Sequence, residues 1–458
     1  MGSETTLRET APKLPPEQYE RNFADLAPRM TPQQAVIEAA RCLFCFDAPC
    51  TMACPTRIDV PAFIKKISTN NLRGSARVIL EANILGESCG RVCPTEVLCE
   101  GACVMHEKGE QPIEIGRLQR YAVDYVLDRN IQLFRAGSSN GKRVACIGSG
   151  PASLACAAEL AKLGYAVTIF DRNDLPGGLN TYGIAAYKTR ANDSLREAEM
   201  VRQLGVEFRQ NTEIPRDFAF GELEKQFDLI FIGLGLGETW DLELPGENLR
   251  GVFGAMEFIG QTKVRPFHEV EVGRRVACIG AGNTAIDVVT AAKRLGAEFV
   301  HILYRRSESE IPAFRYEYEL AKTDGIVFHW HTLPVRVIGK GGVVTGLECR
   351  RTRPSAPEGR GRCAPVPGPG SEFTLEVDMV VRAIGQQPVT AVLRAVKGIE
   401  LRTNGTVVVN DRYQTGNPKY FAGGDCVNGG KEVVDAVAEG MAAARGIDAS
   451  LGRPRAKV

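Results

Sequence analysis

RVACIGSGPAS (143–153) returns further along the chain as RVACIGAGNTA (275–285), and this repeat decides the fold. Each copy runs from an apolar stretch through a glycine turn into an alanine-rich stretch, which predicts strand, turn and helix. One GxGxxG alone is a weak sign, because glycine turns between strand and helix have many uses. Two copies, each followed by another apolar strand, predict two dinucleotide-binding folds. In that reading Gly148 and Gly150, or Gly280 and Gly282, let backbone N–H groups approach a pyrophosphate at a helix N-terminus. Pro151 and Ala152 share the first turn, and Ala281, Asn283 and Thr284 the second; the third position holds the small Ser153 and Ala285.

The residues ending each second strand separate the two sites. AVTIFDRN (166–173) puts Asp171 where a carboxylate accepts hydrogen bonds from an adenosine ribose. FVHILYRRSESE (299–310) has Arg305 and Arg306 there instead, a pair suited to a 2′-phosphate, so this site is expected to take NADPH in preference to NADH. A pair of solvated arginines is the plainer alternative. The other signals attach to the first site, read as the FAD site. LPGGLNTYG (175–183) offers Gly177, Gly178 and Leu179 as a flavin loop. YFAGGDCVNGGKEVVDAVAEGMAAARGI (420–447) reads as a strand, a turn with Gly424 and Asp425, and a helix entered through Glu432 and Val433 whose positive end would face the flavin pyrimidine. DLIFIGLG (228–235) and DMVVRAIG (378–385), the latter carrying Ala383 and Gly385 for the nicotinamide nucleotide, read as strands crossing between two nested domains. The expected fold class is α/β. An N-terminal α-helical domain (1–138) precedes an FAD domain (139–260 and 375–458) that is split around an NAD(P)H domain (261–374).

Eight of the 14 cysteines lie in CLFCFDAPCTMACP (42–55) and CGRVCPTEVLCEGAC (89–103). Such runs resemble those that hold cubane clusters, where closely spaced thiolates wrap one cluster and a later cysteine serves its neighbour, so two runs suggest two [4Fe-4S] clusters. The N-terminus has no apolar signal core, which places the chain in a reducing cytoplasm and disfavours disulfides. Structural zinc favours paired CxxC, and only Cys42 and Cys45 form that pair. Cys146, Cys156 and Cys278 fall in apolar pattern and are expected in the core, while Cys349, Cys363 and Cys426 carry no pairing signal. With no CxxC outside the N-terminal region, a redox dithiol beside the flavin is not expected.

At 458 residues the chain has room for two or three domains, and 56 basic against 55 acidic residues leave no field to gather nucleic acid or an anionic membrane. No apolar run reaches the roughly 18 residues of a membrane span. Residues 1–30 read as a loosely packed arm. Thr31, Pro32 and Gln34 then form a capping-box pattern ahead of the helix that delivers Cys42. Segments 61–82 and 112–129 also read as helical, 135–142 as a linker, and the arginine-rich 350–362 as an exposed hairpin loop. His329 and His331 are expected to share one strand face as structural residues.

The motifs CxxCxDAPCxxxCP, LGxxCGxVCPTxxLCxxxC, PIxIGxLQ, GxGPAS, GAGxTAxD and AGGD make the chain, from Thr31 onward, resemble the N-terminal half of dihydropyrimidine dehydrogenase and its free-standing bacterial small subunit. The small subunit of glutamate synthase is similar in fold and in most of these motifs. The resemblance implies one cubane on Cys42, Cys45, Cys50 and Cys103 and another on Cys54, Cys93, Cys99 and Gln119, with Val92 beside the flavin. By residue type alone Cys89 competes with Gln119 for the last place, since thiolate is the usual ligand. The glutamine is a dihydropyrimidine dehydrogenase trait; glutamate is usual in glutamate synthase. Two departures stand out. GIAAYKTR (183–190) replaces GIPxFRLP and puts Lys188 where an arginine near the nicotinamide nucleotide is expected, and Arg306 replaces an acid common in the NADH-type relatives.

The implied reaction is carried by cofactors, with no side chain cast as acid or base: hydride passes from nicotinamide C4 to flavin N5, and electrons leave singly through the clusters. The sequence ends soon after the flavin helix, so the implied partner is an FMN-bearing iron–sulfur subunit that reduces uracil or thymine in pyrimidine catabolism. The rivals are the small subunit of NADPH-dependent glutamate synthase or a related oxidoreductase and, in another class, a non-enzymatic cluster-bearing redox sensor.

Overall fold

Local signals account for the helical start of the chain in the computed structural model, which describes residues 9–354 and 365–451. After α1 (Pro16–Asn22), α2 (Pro32–Ala40) opens with the expected capping box: the Thr31 hydroxyl accepts the Gln34 N–H at 3.2 Å, and Gln34 Oε1 accepts the Thr31 N–H at 2.9 Å. α3 (Pro49–Ala53) is short. The segment expected to be helical at 61–82 divides into α4 (Val60–Ser68) and α5 (Leu72–Ala82), because Asn70 turns to φ +58° and Asn71 caps α5 through the Gly74 N–H at 2.9 Å. α6 (Gly86–Val92) and α7 (Ile115–Leu127) complete this part, around a core that includes Phe63, Ile64, Ile67, Ile79, Leu80 and Leu118.

The first glycine repeat is β1 (Arg143–Ile147), α8 (Pro151–Lys162) and β2 (Ala166–Phe170), followed by α9 (Leu179–Tyr182), α10 (Ala191–Arg202), β3 (Glu207–Arg209), α11 (Phe220–Gln226) and β4 (Leu229–Ile232). Next come β5 (Val252–Gly254) and α12 (Ala255–Val264). The second repeat is β6 (Arg275–Ile279), α13 (Asn283–Arg294) and β7 (Phe299–Leu303), then α14 (Arg315–Thr323) and β8 (Val327–His329). β9 (Thr332–Lys340), β10 (Val343–Pro354) and β11 (Pro365–Leu375) form an antiparallel sheet; residues 350–354 of the loop expected at 350–362 belong instead to β10, paired with β11, and the rest of it, with Cys363, lies outside the described residues. β12 (Met379–Arg382), α15 (Thr390–Arg394), β13 (Tyr420–Ala422), α16 (Asp425–Asn428) and α17 (Val433–Ser450) end the chain.

Two parallel five-stranded sheets result, in the orders β13-β4-β1-β2-β3 and β5-β12-β6-β7-β8. The strand beside each glycine-turn strand is one of the two predicted crossing strands: β4 pairs with β1, and β12 with β6. This is the doubly wound arrangement the repeat predicts.

The chain forms two compact units. Of the described residues, the larger comprises those in Leu26–Thr181, Lys188–Gly237 and Pro388–Val458, and the smaller those in Met1–Asp25, Tyr182–Tyr187 and Glu238–Gln387. Pairing therefore shifts the boundaries expected from sequence: 238–260 and 375–387, assigned there to the FAD domain, lie in the smaller unit, because β5 and β12 pair in the sheet of β6. The N-terminal arm is corrected as well. Ala11 donates its N–H to Val272 O at 3.0 Å, Phe23 is fully buried, and its ring stacks on Phe267 at 4.0 Å, so the arm packs into the smaller unit. His331 leaves the strand at φ +51°, and His329 instead meets His301, Nε2 to Nδ1, at 3.1 Å. Among the described residues no helix is long and apolar enough to cross a membrane.

Candidate functional site

In the larger unit the N-terminal thiols gather in two groups. Cys42, Cys45, Cys50 and Cys103 line one pocket, walled by Val60, Ile64, Ile113 and Ile115. Burial, with Cys42 and Cys103 nearby, pushes the Cys50 thiol up to about 11. Cys93 is pushed well above the ordinary thiol range by its bond with Cys89, by burial, and by Cys99 and Cys54; Cys99 is pushed up by burial, by Glu100 and by Cys54. Grouped thiols with little access to water resist ionisation until a cation sits among them, when each becomes a thiolate ligand. Four thiols about one apolar pocket suit a cysteine-held iron–sulfur centre.

The last place in the second group has two contenders. Buried Gln119 donates Nε2 to Gly86 O at 2.8 Å, which leaves Oε1 as its acceptor. Cys89 is also buried, but its sulfur already accepts Asn83 Nδ2 at 3.1 Å.

α6, which runs into Cys93, is bonded at both ends to α10. Glu197, fully buried on α10, accepts the N–H groups of Glu87 and Ser88 at 2.8 and 2.9 Å on Oε1, and the Ser88 hydroxyl on Oε2. Near the other end, Arg91 reaches Asp193 at 3.1 Å and Glu87 at 3.3 Å, while Arg196 bonds Glu87 and Asp128. Burial raises both Glu87 and Glu197 above the usual carboxylate range, against the pull of Arg196 on the first and of the Ser88 donors on the second.

The first glycine turn stands in the same unit. Gly148 takes φ +91°, and a Cβ there would lie 2.4 Å from the Gly233 carbonyl oxygen, so the crossing strand itself demands glycine. Gly150 caps α8, and a Cβ there would meet only the Gly178 Cα, at 3.9 Å. Asp171 accepts the Ser149 N–H and hydroxyl on Oδ2, each at 2.7 Å, and the Asn173 N–H on Oδ1 at 2.8 Å. Gly177 donates its N–H to Ser149 O at 3.1 Å, bringing the loop of Gly178 and Leu179 to this turn. Ser153 Oγ and Asn180 Oδ1 are buried without a hydrogen-bond partner. Ala152 also meets the C-terminal segment, since a Cβ on Gly424 would lie 3.0 Å from the Ala152 Cβ and one on Gly440 of α17 would lie 2.1 Å from the Ala152 oxygen. Burial raises the Asp425 carboxyl, opposed by the Lys431 N–H and aided by Asp435. Glu432 is the N-cap of α17, followed by Val433, and Val92 ends α6 half-buried.

The smaller unit repeats the arrangement. A Cβ on Gly280 (φ +122°) would lie 2.2 Å from the Ala383 oxygen, whereas one on Gly282, the cap of α13, meets nothing within 4 Å. Ala281 and Ala285 are buried; Asn283 Oδ1 accepts the Phe314 N–H at 2.9 Å, and Thr284 follows in the first turn. Gly385 accepts the Trp240 N–H at 3.0 Å. Arg305 is exposed, and Arg306 keeps a buried Nε without a partner; neither guanidinium has an acidic partner among the described residues. Lys188 belongs to the larger unit and is half-buried. Sequence reasoning missed the Tyr187–Asp287 contact in the smaller unit, although Asp287 closes the quoted GAGxTAxD motif. It also missed Glu197, for which no local signal exists.

Residues 19–131 match the family described as dihydropyrimidine dehydrogenase domain II, 4Fe-4S cluster, and residues 142–440 match pyridine nucleotide-disulphide oxidoreductase. The chain is 34% identical to the glutamate synthase [NADPH] small chain of Escherichia coli (strain K12), over 95% of each chain. It is 33% identical to the NAD-dependent dihydropyrimidine dehydrogenase subunit PreT of Salmonella typhimurium, over 93% of this chain and 97% of that one. It is 35% identical to the NADP(+)-dependent formate dehydrogenase subunit beta of Moorella thermoacetica, over 88% of this chain and 60% of that one. In fold it is similar to Mycobacterium tuberculosis FprA in complex with NADPH, with a TM-score of 0.56 and 21% identity over 68% of this chain and 85% of that one. The T. acidophilum thioredoxin reductase gives 0.52 and 19% identity over 68% and 98%.

Proposed function

The chain belongs to the pyridine nucleotide-disulphide oxidoreductases, as a member that binds FAD and NADPH and carries an N-terminal [4Fe-4S] domain, and from that premise we propose that it is the electron-input subunit of a larger enzyme. One observation carries the reading: a single compact unit holds both thiol groups together with the first glycine turn. When bound, the cofactors supply the chemistry, NADPH giving a hydride to FAD and the clusters accepting electrons singly.

The side chains do the placing. Gly148, Gly150, Pro151, Ala152 and Ser153 form the cradle for the FAD pyrophosphate, Asp171 aligns the ribose-side turn through Ser149, and the Gly177–Leu179 loop, Gly424, Asp425 and the start of α17 close around the rest. Gly282 leaves the open space a second pyrophosphate needs, and Arg305 and Arg306 offer uncommitted positive charge to a 2′-phosphate. Two clusters rest on Cys42, Cys45, Cys50 and Cys103 and on Cys54, Cys93, Cys99 and Gln119; Gln119 is preferred to Cys89 because its Oε1 is uncommitted while the Cys89 sulfur is not. Cytoplasmic residence suits thiols that must stay reduced.

Leu43, Phe46, Met52 and Val97 stand exposed beside these cysteines, an apolar surface suited to a partner that collects electrons. That partner, in this reading, is an FMN-bearing iron–sulfur subunit reducing uracil or thymine to 5,6-dihydropyrimidines, a choice supported by Gln119. A glutamate synthase large subunit as the partner is the second reading, favoured because a glutamate synthase [NADPH] small chain is as similar to this chain as PreT is. Anaerobic purification with the native partner decides, through NADPH-driven uracil reduction set against conversion of glutamine and 2-oxoglutarate. If NADPH fails to bleach the flavin at all, the protein is a sensor and the electron-input reading is lost.

A further inference from the structure

Resting on the electron-input reading, we propose that Glu197 and Arg91 are positioning residues for electron transfer, which hold the cluster helix α6 in fixed register against α10, the helix that follows the flavin loop. A carboxylate without exposure is costly to bury unless donors surround it. Glu197 accepts three, and all belong to the first residues of α6: the N–H groups of Glu87 and Ser88 and the Ser88 hydroxyl, 109 and 110 residues away in sequence. A single tether would fix only a distance. The second, Arg91 to Asp193 at 3.1 Å, grips the other end of α6 one residue before Val92, and the Arg91 side chain is only 3% exposed. Two tethers on opposite ends also fix the rotation of α6 about its axis, and so the directions of Val92 and of the Cys93 sulfur that follows.

The flavin side of the clamp is equally determined. α10 starts directly after Lys188–Arg190, where the chain re-enters the larger unit from Tyr182–Tyr187, and Asp193 in its first turn also accepts the Arg190 N–H at 2.9 Å. The Gly177 turn and Ser194 are packed so closely that a Cβ on Gly177 would lie 2.3 Å from Ser194 Oγ. Glycine loop, α10 and α6 thus form one continuous chain of contacts. Each transfer moves one electron from reduced flavin to one oxidised cluster, so two transfers empty the flavin, and its proton is released to water. A shift of α6 alters that gap without touching NADPH, and single-electron transfer slows as its gap widens.

The test compares Glu197→Leu, which removes both acceptor oxygens at similar volume, with Glu197→Gln, which keeps an oxygen for the two N–H groups, and with the milder Ser88→Ala. Stopped-flow mixing with NADPH separates flavin bleaching from the later cluster reduction, read by freeze-quench electron paramagnetic resonance; hydrogen exchange reports the amides of residues 87 and 88. In Glu197→Leu, cluster reduction is expected to slow at least tenfold while flavin bleaching, flavin content and iron content stay within twofold, and those amides exchange faster. Glu197→Gln recovers most of the rate, and Ser88→Ala falls between. Unchanged cluster reduction in Glu197→Leu overturns the proposal. So does a parallel loss of cofactor content and rate in Glu197→Leu and Ser88→Ala, since that marks a role in folding alone. Wild-type protein whose flavin bleaches while its clusters stay oxidised would sink the electron-input reading instead.

Discussion

Gly280 and Ala383 approach so closely that a Cβ on the glycine would stand 2.2 Å from the alanine carbonyl oxygen, while Gly282, two residues on, has open space where its Cβ would be. The two glycines of one motif therefore answer to different demands. Gly280→Ala must push β12 away from β6 and is expected to unfold the smaller unit. Gly282→Ala is expected to fold normally and to lose NADPH affinity by at least tenfold, because the methyl occupies the room for the pyrophosphate. Circular dichroism with NADPH titration checks both, and tight NADPH binding by Gly282→Ala would remove the pyrophosphate from this turn.

Tyr187 donates its hydroxyl to Asp287 Oδ1 at 2.9 Å, with both side chains buried. Tyr187→Phe takes a donor from a buried carboxylate and should destabilise the smaller unit by about 1–3 kcal/mol. Both tryptophans, Trp240 and Trp330, belong to that unit, so their fluorescence in a urea titration follows its unfolding alone.

Arg306→Glu exchanges an unpaired guanidinium for a carboxylate. It should weaken NADPH relative to NADH by about 1.5–3 kcal/mol, the worth of a charge-assisted bond. The ratio of the two dissociation constants is the measurement, and an unaltered ratio leaves the arginine as ordinary surface charge.

Cys89→Ser is expected to keep the wild-type iron content, whereas Cys93→Ser should lose about four irons per chain. Gln119→Ala should perturb the resonance spectrum of one cluster only. If Cys89→Ser loses iron as Cys93→Ser does, Cys89 takes the place assigned to Gln119.

His301 sits against His329, and burial together with that neighbour lowers it to about 4; His329 is lowered by burial and by Arg351. The folded unit therefore binds fewer protons than the unfolded chain below the ordinary histidine pKa of about 6.5. Stability is then full above that pH and declines as pH falls toward 4, by about 1–2 kcal/mol between pH 7 and 5. His301→Gln should flatten the profile in urea titrations at the two pH values.

What was legible in the sequence was local. The repeated glycine turn and the capping box at Thr31 and Gln34 lie within a few residues, and each stands as an element of the fold. The misplaced features depend on distant partners. Nothing near Phe23 announces Phe267, and nothing near β5 announces that it pairs with β12 more than a hundred residues later. The division of 61–82 turned on a single asparagine at positive φ, a conformation that residue tolerates but does not signal. Glu197 reads as one more polar residue on a helix until α6 is brought beside it.

Because the smaller unit is drawn from three separate stretches of chain, with the larger unit's sequence running between them, no single cut releases it. Truncation at any glycine motif would leave strands without neighbours in one sheet or the other. A gene fusion that borrows this electron-delivery part must therefore take it whole, as an indivisible cassette, and add its new catalytic region before the first helix or after the last.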